Sequence, residues 1–510
     1  MRRSVRAALG VTLIASALVG YLALDVFDQV PGVLTRVPEP TAPVAHPSAS
    51  PRASVPLPTP TTGMPLRPAG ADAPAPTAAG LTAALNPVLS AGALGPDPAV
   101  VVRDAVTGAR LVDLRADSPR APASTLKLLA AVGVLRGLGP ATRLQTRVIA
   151  GATPDRILLV PGGDSLLEPG AGRPDEVAGR AGLADLASHT ATVLKAAGVP
   201  AVTLAVDRSY AEGPSSAPTW PASFLATGIT GPVAMAGLST QRAIPGRPGP
   251  ADPVGEVLSA FAARLREQGV AVTVAPEPLP AETGLATTSS ASPTAPPATL
   301  PATSPSTTSG GPAAGTTLAT VSSAPVLDQL VLALQESDNG LTETLARAAA
   351  FRATGARDFA STAAYLISQA QALGLDVTGT TLFDASGLTR DNRLTARLLG
   401  DVLMLAGSDA VPGLADAVRQ LPVAALSGTL ADRFGDPRTQ AGVGVVRAKT
   451  GTLTGVGSLA GTVVTAEGRP LVFVVLGGAP QGTLESRLAL DQLAAVLATC
   501  GCRPSAGGAP

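Results

Sequence analysis

Three short motifs contain residue types that can carry out acyl transfer: Ser124-Thr-Leu-Lys127, Ser337-Asp-Asn339 and Lys449-Thr-Gly451. In the first motif the serine and the lysine lie three positions apart, so on a helix the amine can reach the hydroxyl. A serine hydroxyl becomes a good nucleophile when a base takes its proton, and a partly buried lysine near another cation can be that base. Alone, each motif also has an ordinary structural explanation as a helix cap or a turn.

The second and third motifs supply groups that would complete such a site. Ser337 could relay a proton, and the amide of Asn339 could orient a substrate amide. On an edge strand, Lys449 would add positive charge beside the first lysine, Thr450 could bind a carboxylate, and Gly451 would let a substrate backbone approach closely. The order S-x-x-K, S-D-N, K-T-G is typical of penicillin-binding proteins and class A β-lactamases.

The composition excludes several other kinds of protein. The chain of 510 residues carries 37 basic and 37 acidic side chains and is 2% aromatic, which does not fit a nucleic-acid-binding protein. Its two histidines and two cysteines cannot build several zinc sites, and a Ser-His-Asp triad could use only His46 or His189. The lysines are Lys127, Lys195 and Lys449, so two of the three occupy positions that the motifs require.

A long segment separates the first motif from the second, and here the chain resembles a known family. The resemblance is to the D-alanyl-D-alanine carboxypeptidase/endopeptidase family of class C penicillin-binding proteins, peptidase family S13. Six segments carry it: Ala121–Lys127, Leu159–Asp164, Val206–Trp220, Glu336–Asn339, Asp384–Leu388 and Lys449–Leu453. The sequence departs from the family pattern at Ser165, where proline is usual, and at Thr462, where an aromatic residue is common.

The resemblance implies an α/β (α+β) fold. Its catalytic part would be a serine β-lactamase/transpeptidase-like domain, an antiparallel sheet flanked by helices, with an inserted α/β region between the first and second motifs. The catalytic domain is predicted over residues 81–140 and 321–500, and the inserted region over 141–280. Residues 281–320 are predicted to form a disordered Ser/Thr/Pro-rich insertion, with a linker between independent domains as the alternative.

The family mechanism assigns a role to each motif residue. Ser124 would attack the carbonyl of the penultimate D-Ala and Lys127 would accept its proton. The backbone N–H groups of Ser124 and Thr452 would form the oxyanion hole. Ser337 would pass a proton to the leaving amine while Asn339 holds the peptide. No metal or cofactor is required.

The same resemblance suggests how the substrate would be bound. Lys449 and Thr450 would bind the terminal carboxylate, and Gly451 would let the backbone of the peptide approach closely. Asp207 and Arg390 are candidates for recognising the diamino-acid side chain of a stem peptide. For these two residues, a strand-end aspartate and a surface arginine are equally good explanations.

The N-terminal sequence predicts where the protein is located. Arg2, Arg3 and Arg6 precede an apolar run over residues 7–24, which predicts a membrane anchor or signal sequence within residues 1–30. A Pro-rich tether over residues 31–80 follows. The body of the protein is therefore expected to be extracytoplasmic, and either membrane-anchored or secreted.

In the tail, Cys500 and Cys502 could form a strained local disulfide or remain free thiols, without a catalytic role.

Local patterns predict the elements that must position the motifs. Pro98–Val102 and Leu111–Leu114 form a hairpin pattern, and a helix is expected from Pro122 to Leu138. Ser458–Thr465 and Pro470–Leu476 are β-rich, and Gly482–Leu497 is a final helix. Strands at both ends with helices between them favour a sheet closed by the N- and C-terminal segments.

The sequence thus predicts an exported serine DD-peptidase that hydrolyses D-Ala-D-Ala and binds penicillin covalently. Cleavage of cross-linked peptides is left open, because both activities use the same residues. The alternatives are a β-lactamase or esterase, disfavoured because no Glu-x-x-Leu-Asn segment is found, and a non-catalytic cell-wall-binding protein, disfavoured by the intact motifs. Expected partners are peptidoglycan stem peptides, β-lactam inhibitors and, through the N-terminal segment, a membrane, but no nucleic acid; the oligomeric state is left open.

Overall fold

A computed structural model of the protein describes residues 70–275, 282, 285 and 312–500. The predicted anchor, most of the tether, most of the Ser/Thr/Pro-rich segment and the tail 501–510 lie outside the described residues. The strands are β1 (Ala99–Asp104), β2 (Arg110–Leu114), β3 (Arg143–Ala150), β4 (Arg156–Val160), β5 (Asp164–Leu167), β6 (Ala201–Val206), β7 (Ala236–Leu238), β8 (Ala271–Val274), β9 (Thr317–Pro325), β10 (Val446–Leu453), β11 (Val456–Val464) and β12 (Pro470–Gly478).

Helices account for most of the chain between β9 and β10. The helices are α1 (Ala78–Ser90), α2 (Lys127–Leu138), α3 (Leu183–Ala196), α4 (Ser223–Ala226), α5 (Pro253–Glu267), α6 (Val326–Glu336), α7 (Asn339–Thr354), α8 (Phe359–Ala372), α9 (Ala396–Leu405), α10 (Leu414–Arg419) and α11 (Thr483–Thr499). Short 3-10 turns occur at residues 123–126, 239–241, 428–430 and 440–442.

An antiparallel sheet in the order β10-β11-β12-β1-β2 joins the two ends of the chain. The predicted hairpin is confirmed, since Val100 of β1 lies opposite Leu114 of β2. The predicted closure is also confirmed, because Ala99 of β1 pairs with Leu476 of β12. The central strand β12 is apolar and buried over most of its length, as expected for a strand that is covered on both faces.

The helix that follows the first motif lies in the middle of the main core. Residues 127–135 of α2 are all buried, because α7, α8 and α9 pack around it. This explains why its sequence is an uninterrupted apolar run rather than an amphipathic one. The motif Ser124–Lys127 therefore lies at the N-terminal end of α2, a helix that is buried along most of its length.

The inserted region forms a second sheet in the order β8-β6-β4-β3-β9. Strands β4, β6 and β8 are parallel, whereas β3 runs antiparallel to both β4 and β9. The amphipathic helices α3 and α5 bury apolar side chains such as Leu186 and Phe261 against this sheet. An α/β inserted region is what the sequence predicted between the first two motifs.

Strand β9 shows that the predicted boundary at residue 321 is displaced. Its residues pair with β3, with Val321 opposite Thr146 and Pro325 opposite Arg143. Because these bonds complete the edge of the inserted sheet, the catalytic domain resumes at Val326, the first residue of α6.

The predicted disordered segment 281–320 also differs from the structure at its two ends. Residues 317–320 belong to strand β9. The carboxylate of Glu282 is fully buried and accepts two hydrogen bonds from Arg156, at 2.7 and 2.8 Å. The low-complexity composition gave no signal for this contact, because the arginine lies far away in the sequence.

Two further findings concern membrane-spanning helices and the cysteines of the tail. Within residues 70–275 and 312–500, no helix is long and apolar enough to cross a bilayer. Cys500 is disulfide-bonded and so is not a free thiol, and Cys502 lies beyond the described residues.

Candidate active site

Ser124 lies on a tight turn that leads into a buried helix. Residues 123–126 form a 3-10 turn, and α2 begins at Lys127. The predicted helix therefore starts with a tighter turn than expected. Ala123 adopts a φ of 47°, a region that side-chain-bearing residues rarely occupy and that persists only when the surroundings hold it.

Two glycines from distant motifs hold the backbone of this turn in place. A Cβ atom at Gly451 would lie 2.7 Å from the Pro122 carbonyl oxygen and 3.0 Å from the Ser124 nitrogen. A Cβ atom at Gly387 would overlap the carbonyl of Ala123. The glycine of the third motif was expected to admit a substrate backbone; its Cβ direction is instead filled by Ser458 Oγ and by the protein's own serine-bearing turn.

Lys127 is the centre of the hydrogen-bond network. Its amine is fully buried and donates to Ser124 Oγ at 2.9 Å, to Asn339 Oδ1 at 2.6 Å and to the carbonyl of Ser386 at 2.7 Å. A protonated amine has three hydrogens for these three acceptors. When the amine is neutral, two hydrogens can remain with Asn339 and Ser386, and the lone pair then faces the serine hydroxyl.

The surroundings of Lys127 lower the pKa of its amine. Burial lowers the pKa of the amine from 10.5 to about 8, while the carboxylates of Glu343, Asp384 and Asp338 oppose that shift. A base is most effective when its pKa lies near the working pH. A sizeable neutral fraction of Lys127 is therefore present in mildly alkaline solution.

Lys449 lies behind the wall of the site rather than on its surface. Its amine is fully buried and donates to the carbonyl of Thr450 at 3.0 Å. Burial, with a smaller contribution from the positive charge of Lys127, holds the pKa of Lys449 well below its usual value. The charge of Lys127 acts on Lys449, but Lys449 does not line the cavity, so its amine does not lie where the predicted contact with a substrate carboxylate would need it.

The second motif is the junction between two helices. Ser337 ends α6 with a φ of 58°, in the left-handed region, and Asp338 caps the start of α7 by accepting from Leu341 N at 2.9 Å. Asn339 is the first residue of α7, and its amide nitrogen donates to the carbonyl of Ile229 at 2.7 Å. The ordinary explanation as a helix cap is confirmed for Asp338, and the catalytic roles of Ser337 and Asn339 stay predictions.

These groups meet in one cavity of about 900 Å³. Six of the ten predicted site residues line it, whereas Lys127, Lys449 and Gly451 lie directly behind its wall. The six lining residues are Ser124, Ser337, Asn339, Arg390, Thr450 and Thr452.

Asp207 is the predicted residue that the structure does not bring to this cavity. It is buried after the end of β6, and its carboxylate accepts from the backbone N–H of Ser209 at 2.8 Å. The structure therefore favours the strand-end explanation for Asp207 over a role in substrate recognition. Arg390, in contrast, is exposed at the cavity rim.

Sequence reasoning missed several residues that hold the site together. Glu343 is buried, and its carboxylate accepts from the backbone N–H groups of Ala385 at 3.0 Å and Ser386 at 2.8 Å. Burial and the charge of Asp384 raise the pKa of Glu343 to about 7. A signal for this residue was available, because Glu343 lies four positions after Asn339 and so on the same face of α7.

Asp384 links the loop behind Lys127 to the inserted region. Its carboxylate accepts from the indole N–H of Trp220 at 2.9 Å and from the backbone N–H groups of Thr389 at 2.6 Å and Gly387 at 2.9 Å. A buried carboxylate with several donors is a rigid attachment point. The loop that presents the Ser386 carbonyl to Lys127 is therefore held from two sides.

Thr429 was missed because nothing in the motifs points to it. Its hydroxyl lies 2.9 Å from the hydroxyl of Thr450, and both residues line the cavity beside Ser124. Two hydroxyls at this distance can both donate to an anion placed between them. Within the described residues, no group of three or more His, Cys, Asp or Glu side chains is arranged to hold a metal ion.

A serine hydroxyl held by a buried lysine, beside a helix junction and the edge strand of an antiparallel sheet, defines a serine acyl-transfer enzyme of the transpeptidase-like class. The family comparison gives the more specific result: the chain belongs to the D-Ala-D-Ala carboxypeptidase 3 (S13) family, whose model matches residues 81–247 and 305–500. The predicted family and its class, serine-type D-Ala-D-Ala carboxypeptidases, are thereby confirmed.

Individual relatives agree with this assignment. The chain is 32% identical to the carboxypeptidase DacB of Mycolicibacterium smegmatis over 98% of both chains. It is 32% identical to a carboxypeptidase of Mycobacterium tuberculosis over 88% of this chain and 91% of that protein. The fold is similar to that of penicillin-binding protein 4 (DacB) of Haemophilus influenzae, with a TM-score of 0.61 at 20% identity, over 81% of this chain and 97% of that one. This similarity confirms the predicted fold class.

Proposed function

We propose that this protein is an exported DD-peptidase that removes the terminal D-Ala of peptidoglycan stem peptides through an acyl-enzyme on Ser124. The observation that carries the proposal is the position of the Lys127 amine. It lies 2.9 Å from the serine hydroxyl, fully buried, with its other two hydrogen bonds fixed by Asn339 and Ser386.

Acylation begins when neutral Lys127 takes the proton of Ser124. The serine oxygen then forms a bond to the carbonyl carbon of the penultimate D-Ala, and the carbonyl oxygen becomes an oxyanion. The backbone N–H groups of Ser124 and Thr452 are the donors proposed for this oxyanion, and Gly451 allows β10 to approach the serine turn closely enough to bring them together. Such donors contribute about 3–4 kcal/mol each to transition-state stabilisation.

The leaving D-Ala departs when its amine gains a proton. Ser337 lines the cavity beside Asn339 and can pass the proton from Lys127 to this amine. The terminal carboxylate is placed between the hydroxyls of Thr450 and Thr429, which lie 2.9 Å apart. Water then adds to the acyl carbon, and release of the shortened peptide returns the proton to Ser124.

The same chemistry extends the proposal to two other ligands. A β-lactam carries a carboxylate and a reactive carbonyl, so it would acylate Ser124 and remain bound. Cross-linked peptides differ only in the leaving amine, and the cavity of about 900 Å³ leaves room for a larger group. Export rests on the N-terminal sequence, in which three arginines precede an apolar run over residues 7–24.

The test is release of D-Ala from a pentapeptide together with labelling by a fluorescent penicillin. The wild type should release D-Ala and retain the label, and Ser124→Ala should do neither. Ser408→Ala is the matched control, because this exposed serine follows α9 and its hydroxyl bonds to nearby backbone groups, the Leu405 carbonyl and the Ala410 N–H. Labelling of Ser124→Ala would contradict the assignment, and rapid loss of the label from the wild type would indicate a β-lactamase.

A further inference from the structure

Arg242 connects the inserted region to the second catalytic motif. It follows the 3-10 turn at residues 239–241, and its guanidinium contacts Asp338 Oδ2 through Nη2 at 2.6 Å and through Nε at 3.1 Å. The same Nη2 donates to Glu336 Oε2 at 2.5 Å. The side chains of Arg242 and Asp338 are only 18% and 13% exposed, so this ion pair is largely shielded from solvent.

The two acidic partners of Arg242 flank Ser337 on both sides. Ser337 itself adopts a left-handed conformation, which is unfavourable for a residue with a side chain and needs support from its surroundings. Because one guanidinium binds the residues before and after it, the backbone at Ser337 is held on both sides from outside the catalytic domain.

A second contact from the inserted region ends at the same motif. The carbonyl of Ile229 accepts from the amide nitrogen of Asn339, whose oxygen accepts from Lys127. Asp338 also caps α7, the helix that begins with Asn339. Displacement of Asp338 would therefore be transmitted to both Ser337 and Asn339.

We propose that Arg242 is a positioning residue for acyl transfer, which holds Ser337 and Asn339 in their catalytic arrangement and offsets the charge of Asp338 beside Lys127. The inserted region then contributes to catalysis, since it supplies the cation that pairs with the carboxylates on both sides of Ser337. This inference rests on the proposed function, because its effect is measured on acylation of Ser124.

The charge of Asp338 gives the proposal a distinctive signature. Asp338 acts on Lys127 together with the carboxylates of Glu343 on α7 and Asp384 on the neighbouring loop. Lys449 on β10 is a further titratable neighbour, and burial together with the charge of Lys127 lowers its pKa. Loss of the Arg242 cation leaves Asp338 less compensated, which favours protonated Lys127. The acid limb is the pH range in which the acylation rate falls as Lys127 becomes protonated. It should then move to higher pH, a change that simple loosening of the structure would not produce.

The experiment measures the acylation rate with fluorescent penicillin as a function of pH for the full-length wild type and three variants. Arg242→Met should be slower by about 100-fold, the usual effect of misplacing catalytic groups by about 1 Å, with its acid limb at higher pH. Arg242→Lys keeps the charge, but its shorter side chain lacks the planar fork with which Nε and Nη2 of Arg242 together bind Asp338, so it should be slower with an unchanged limb. Arg208→Met is the matched control, because it removes a bidentate pair with Asp252 elsewhere in the inserted region.

The outcomes separate the two proposals. A wild type that penicillin does not acylate contradicts the proposed function, and the inference fails with it. If the wild type is acylated and Arg242→Met has the same acylation rate and the same acid limb, only the proposed role of Arg242 is overturned. If Arg242→Met does not fold, Arg242→Lys decides, since a wild-type rate in that variant also overturns the proposal.

Discussion

The carboxylate of Glu343 accepts the backbone N–H of Ser386 at 2.8 Å, and the carbonyl of that same residue accepts from Lys127 at 2.7 Å. One buried acid thus fixes the backbone of the residue whose carbonyl holds the Lys127 amine. Its negative charge also opposes the effect of burial on that amine. Glu343 therefore influences both the geometry and the proton affinity of Lys127 without reaching the cavity.

Glu343→Gln should move the acid limb of the acylation rate to lower pH. The amide oxygen can still accept from Ala385 and Ser386, but the charge that favours protonated Lys127 is lost. Since the pKa of Glu343 is about 7 and that of Lys127 about 8, the carboxylate is mostly ionised where the limb is observed. The measurement is acylation by fluorescent penicillin as a function of pH, and an unchanged limb would show that this charge does not reach Lys127.

Gly451→Ala should slow acylation by about 100-fold. The added methyl group would displace Ser458 Oγ, which donates to the Pro122 carbonyl, and would press on that carbonyl and on the nitrogen of Ser124, so the serine turn must shift. Gly435→Ala is the matched control, because a Cβ atom there meets nothing within 4 Å and the residue does not have a positive φ. Single-turnover acylation of both variants provides the comparison, and equal rates would mean that the turn tolerates displacement.

Thr429→Val should raise KM for the peptide about tenfold with a smaller effect on kcat, because a hydroxyl that donates to the terminal carboxylate is lost. Thr429→Ser retains the hydroxyl and should behave like the wild type. A peptide with a C-terminal amide provides a second control, since the variant and the wild type should then differ little. An equal loss on both peptides would assign Thr429 a structural role through Thr450 instead.

Much of the catalytic centre could be predicted because its chemistry lies in short local patterns. The pair Ser124 and Lys127 is set by helical spacing, and the hairpin at residues 98–114 by alternation and a turn. Glu343 could have been found by the same helical spacing from Asn339. In each of these cases, the interaction that matters is between residues close together in the sequence.

The contacts that were missed join residues far apart in the sequence. Arg242 of the inserted region meets Asp338 of the catalytic domain, and β9 pairs with β3 across more than 150 residues of sequence. Asp207 was assigned by resemblance, and nothing in its local sequence told which way the strand end would face. Long-range pairing depends on the packing of whole elements, which spacing along the chain does not encode.

The most direct test of the account is to locate the penicillin adduct by peptide mass spectrometry in the wild type and in Lys127→Arg. The account predicts one adduct, on Ser124, in the wild type. It predicts acylation slower by about a thousandfold in the variant, because an arginine stays protonated and cannot act as the base. An adduct on another residue, or acylation of Lys127→Arg at the wild-type rate, would contradict it.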